Sequence, residues 1–143
     1  MKATTTRIKE DLFRVLKDVL PEGFTLRDSE ETVDENKTPL ACVSTDSGTG
    51  YSQASFGQIQ GKTEVKIDLY LSMGKTLHNN LETDRLQEQI RKAVLSDPDI
   101  RKNYSEVEVT KTAALSVPGE SSLRILTHDL EFTWTEGLSL IHI

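Results

Sequence analysis

A glycine, a lysine and a threonine between a strand and a helix are what a phosphate-binding loop uses, and Gly74-Lys75-Thr76 stands in that context. The loop also needs an earlier glycine, so that its backbone N–H groups can curl around phosphate oxygens. That glycine would fall at position 69, which is Leu69, in the middle of an apolar strand pattern. Gly61-Lys62-Thr63 fails differently, because it runs into a strand and its upstream Gly57 is one residue too close. Both strings read as ordinary turns, and no nucleotide or other cofactor is expected.

Other reactive side chains are similarly isolated. Ser72 and Lys75 have the spacing of one hydrolase class, but that spacing matters only at a helix start with partner motifs, and none is visible. His78, His128 and His142 are scattered, and Cys42, the only cysteine, is remote from all three, so no zinc-type spacing exists and no metal is expected. Asp28, Glu30, Glu31, Asp34 and Glu35 lack the glycine and closing glutamate of a calcium loop and read as a solvated connection. One enzymatic alternative stays open, a small hydrolase that pairs His128 with a carboxylate such as Asp129. The leading expectation is a protein without catalytic residues.

The elements that must position these residues follow from periodicity. Ile8, Leu12, Val15, Leu16 and Val19 recur at helical spacing between Thr5 and Leu20, with Glu10 and Arg14 one turn apart as a supporting pair and Pro21 and Gly23 as the stop. Phe24 and Leu26 begin a short strand, and Thr38 to Thr45, led by Pro39, reads as a strand suited to a sheet edge. The clearest strand is Lys62 to Ser72, where Val65, Ile67, Leu69 and Leu71 alternate with Glu64, Lys66, Asp68 and Tyr70. A second helix starts at Asn79 or Asn80, carries Leu86, Ile90, Ala93 and Val94, pairs Glu88 with Lys92, and ends at Asp97-Pro98. Ser105 to Val117 and Leu123 to Thr135 form a hairpin across Pro118 to Ser121. The apolar parity of the second run changes after Ile125, which predicts a bulge there.

The expected fold is α+β, a mostly antiparallel sheet with two helices packed on one face. One domain spans 1–137 of the 143 residues, with a long loop at 46–61 and a C-terminal tail at 138–143. Seventeen Lys+Arg against 23 Asp+Glu give a formal charge of -6, without a basic cluster able to hold nucleic acid. The single cysteine suits a reducing compartment, and neither a secretory signal nor a membrane span is expected.

Two surfaces stand out as sites of interaction. Tyr51, Phe56 and Ile59 lie among Gly, Ser, Thr and Gln in the 46–61 segment, which reads equally as a plainly flexible loop or as a set of apolar anchors for another subunit or partner. Glu64, Asp68, Glu106, Glu108, Asp129 and Glu131 all alternate with apolar residues on their strands. Adjacent strands would gather them on one acidic sheet face, which is either simply solvated and paired with Lys66, Lys111 and the helix lysines or a wall that DNA passes without sticking.

In element order the chain resembles the lambda-type tail terminator family of long-tailed bacteriophages. The residues that carry the resemblance are Thr38-Pro39-Leu40-Ala41-Cys42-Val43 and the polar segment after it, Glu64 through Leu71, the helix from Leu81 through Val94 with Ser96-Asp97, and Leu130-Glu131-Phe132-Thr133-Trp134. The resemblance implies a homo-oligomer, a hexameric ring on the last ring of the tail tube protein. Such a ring stops polymerisation and offers a surface to the head-tail connector protein. DNA would pass through without specific binding, and the protein would be a virion component assembled in the host cytoplasm. Another head-tail connector or tail completion protein is the near alternative.

Overall fold

The computed structural model describes residues 4–28, 38–45, 49–55, 57–117 and 120–137. The chain order is α1 (Thr4–Val19), β1 (Thr25–Arg27), β2 (Leu40–Ser44), β3 (Thr49–Ser55), β4 (Gln58–Ser72), α2 (Asn80–Ser96), α3 (Pro98–Asn103), β5 (Glu106–Val117) and β6 (Glu120–Gly137). The fold is α+β, and its six strands form one sheet in the order β1-β2-β4-β6-β5, with β3 also paired to β4. Every pairing is antiparallel except β1 with β2. No helix among the described residues is long and apolar enough to cross a membrane.

One side of the sheet, the helix face, carries the main core. Ile8, Leu12, Val15 and Leu16 of α1 and Leu86, Ile90 and Val94 of α2 pack on Val65, Ile67, Leu69, Leu71, Leu126, Leu130 and Phe132. The 3.6-residue period of the helices and the two-residue period of the strands bring both apolar sets to this layer. Asn79 caps α2 by accepting from Glu82 N at 2.9 Å, and Lys92 meets Glu88 at 2.8 Å, as the sequence suggests.

Elsewhere the structure departs from those expectations. The 46–61 segment is not a long loop: β3 continues the line of β2 along β4. Ser44 pairs with Lys66 and Thr49 with Thr63, so two extra residues enter between the strands, and the hairpin closes near Gly57. Its Ser, Gly and Gln content hides the strand, because an arm beyond the helices has little need of alternating apolar residues. β2 is also not an edge strand, since β1 pairs with Leu40, Ala41 and Cys42 on its other side.

The bulge expected near Ile125 is absent from the β4–β6 ladder, which runs unbroken from Gln58↔Gly137 to Ser72↔Leu123. Leu123 and Ile125 instead face the far side of the sheet, where Leu40, Cys42 and Leu123 are each at most 2% exposed. The parity change therefore marks a second apolar patch. The β5–β6 ladder does shift register, on β5 between Val109 and Lys111, and again where Ser116 and Val117 pair with Arg124 and Glu120, which leaves three extra residues on β6 close to Ile125. Asp97-Pro98 ends α2 as expected but also opens α3, whose N-cap is Asp97. The tail at 138–143, Phe56, Pro118-Gly119 and the acidic run after Asp28 lie outside the described residues.

Candidate functional site

The register of β3, β4 and β6 brings Tyr51, Gly61 and Trp134 into one row on the helix face. A Cβ at Gly61 would lie 2.1 Å from Trp134 Cζ2, so only a glycine lets the indole lie across the strand. Trp134 Nε1 donates to Thr63 Oγ1 at 3.0 Å, which satisfies the polar atom of an otherwise buried ring. Tyr51 meets this indole edge-on, with centroids 5.8 Å apart and planes at 83°, yet 69% of the tyrosine stays exposed. Ile59, half-buried, shares this face one row further out. Two of the three expected anchors thus share a face, and Phe56 lies outside the described residues. Gly61, Thr63 and Trp134 escaped the sequence reading as members of this site, although a glycine inside a strand signals a close approach.

On the far face, register gathers all six expected acids. Glu64, Glu131 and Glu108 form a row across β4, β6 and β5. Asp129 lies between Lys66 and Lys111, Glu106 and Lys62 flank Thr133, and Asp68 accepts from Thr127 Oγ1 at 2.8 Å. In these four rows six acids stand against three lysines and against Arg27 of β1, which joins the Asp68 row through Cys42, so the face is left two charges negative. The alternation of lysine and glutamate rows makes it banded rather than uniformly acidic. The row of three glutamates is relieved only weakly by Lys62, 4.0 Å from Glu131. Beside the β5 bulge a shallow cavity of about 230 Å³ is lined by Glu64, Lys66, Thr110, Asp129 and Glu131, and Asp129 Oδ1 has no hydrogen-bond partner there.

His128 and Asp129 do not form an acid–base pair. Neighbours on an extended strand point to opposite faces, and His128 is buried under α2 while Asp129 faces the far side. Burial holds the His128 imidazole below its ordinary pKa of 6.5, so it is neutral at pH 7. The turn after β4 likewise consumes its own amides. Gly74 N donates to Leu77 O, while Lys75 N and Thr76 N donate to Ser72 O.

The helices are held over the sheet by a polar junction whose long-range pairing periodicity does not reveal. Arg14 engages Asp97 through two hydrogen bonds of 2.9 and 2.8 Å, in place of the simple helical pairing expected with Glu10. Asp97 also accepts from Ile100 N at 3.0 Å. The Arg14 hydrogen bond is the main cause that holds the Asp97 carboxyl below its ordinary pKa of 3.8. Tyr104 donates to Asp11 Oδ2 at 2.8 Å and packs edge-on against Phe132 at 5.0 Å. Burial first, then the bond to Asp11, pushes the Tyr104 phenol well above its ordinary value.

No protein-family model matches this chain, and no match is found among curated proteins.

Proposed function

We propose that this chain is a tail-terminator-like assembly protein, which joins copies of itself into a hexameric ring on the end of a tail tube. The ring stops further tube polymerisation and presents its other side to the head-tail connector. The observation that carries this reading is Tyr51: a large aromatic left 69% exposed, held against Trp134 on the arm formed by β3, β4 and the end of β6. Rigid aromatics lose little conformational entropy on docking and dominate interface energetics. Their presentation here suits contact with an adjacent copy.

The far face supports the second half of the reading. A surface with a net negative charge repels the phosphate backbone, so DNA threading a ring lined by it would meet no sticky wall. Tail tube polymerisation in the presence of the purified chain tests the proposal. Tubes of limited length at substoichiometric amounts of the chain are expected, and unchanged growth would contradict it.

A further inference from the structure

We infer that His128 is an acid-sensitive latch that joins helix α2 to the sheet. His128 is 1% exposed in the centre of β6, with Ile67 of β4 and Thr112 of β5 on either side. Its Nε2 lies 3.4 Å from Gln87 O of α2 and donates to that carbonyl, while its Nδ1 is buried without a partner. The same Gln87 reaches past the histidine, and its Nε2 donates to Ala113 O of β5 at 2.9 Å. Residues 87 and 128 therefore tie α2 to two strands through three polar groups on the helix face.

Protonation breaks this arrangement on chemical grounds. Imidazolium must donate from both nitrogens, and Nδ1 faces no acceptor. The charged groups that act on the ring are Arg91 on α2, which disfavours a second positive charge, and Asp129, whose attraction crosses to the opposite face of its own strand. The neighbouring β4 and β5 residues, Ile67 and Thr112, supply no charge. Water must enter to solvate the cation, and lifting α2 away from the ring at Gln87 O admits it.

The sign follows from the depressed folded pKa. Stability from the neutral ring is complete above the ordinary imidazole value of 6.5 and is lost as pH falls below it towards the folded value. Acid would thus loosen α2 before it affects α1, whose junction depends on the carboxylate of Asp97, ordinarily titrating at 3.8 and held lower still.

Hydrogen exchange of the full chain between about pH 7.5 and about pH 5, expressed as protection factors, tests the latch. Residues 80–96 are expected to lose about tenfold in protection for each pKa unit between the unfolded and folded imidazole, while α1 keeps its own. His128→Gln and His128→Phe are expected to flatten that response. His78→Gln, exposed two residues before α2, is expected to leave it intact. Equal loss in α1 and α2, no loss in wild type, the wild-type response in a folded His128 variant, or a flat response in His78→Gln would each overturn the inference.

Discussion

The indole of Trp134 occupies the space that a side chain at Gly61 would need, with Cζ2 only 2.1 Å from where a Cβ would stand. A glycine and a tryptophan on neighbouring strands are thus one packing unit, and Tyr51 closes the row from the third strand. Gly61→Ala should displace the indole and break its bond to Thr63, at a cost of about 1–3 kcal/mol. Chemical denaturation followed by the fluorescence of Trp134, the only tryptophan, would show a lower midpoint and a red-shifted native spectrum.

Asp97 serves two partners at once, Arg14 on α1 and the amide of Ile100 on α3. Asp97→Ala removes the N-cap of α3 as well as the ion pair and should cost about 1–2 kcal/mol. Because Arg14 lies at the surface with 40% of its side chain exposed, the charge pairing itself adds little to this figure. The folded pKa of Asp97 is depressed, so its contribution is present above 3.8 and disappears as pH falls through the folded value. Thermal unfolding from neutral to acid pH should show the wild-type advantage over Asp97→Ala shrinking only in that acid range.

What the sequence discloses depends on how local each signal is. Val65, Ile67, Leu69 and Leu71 read as the central strand because alternation is written within a single run, and Asn79 reads as a cap because its partner Glu82 is three residues away. The acidic face was legible too, since each strand states its own parity. β3 was hidden because its apolar partner is Trp134, reached only through β4 and β6. Leu123 and Ile125 carried two signals at once: they face a second apolar patch with Leu40 and Cys42, distant in sequence, along an unbroken β4 ladder, while the register against β5 shifts beside them between Arg124 and Glu120. Arg14 and Asp97 are 83 residues apart, beyond any periodic signal.

Glu131 stands between Glu64 and Glu108, and two directly apposed like charges outweigh one lysine at 4.0 Å. Glu131→Gln should therefore raise stability slightly, by about 0.5 kcal/mol at low salt. Urea unfolding at low and at molar salt checks this, since screening should erase most of the gain.

Under the proposed function, Tyr51 is the position at which folding and assembly can be told apart. Tyr51→Ser removes a mostly exposed ring whose ring contact among the described residues is with Trp134, so the isolated chain should lose no more than about 1.5 kcal/mol and keep its fold. Analytical ultracentrifugation and tube-end binding should both show weaker association than wild type, with circular dichroism unchanged.

Electron microscopy of the full chain mixed with polymerised tail tubes tests self-assembly on a tube end most directly. A ring capping one end of the tubes, with six-fold end views, is expected for wild type, and sparse or absent caps for Tyr51→Ser. Bare tube ends with the folded wild-type chain in excess would contradict the proposed function.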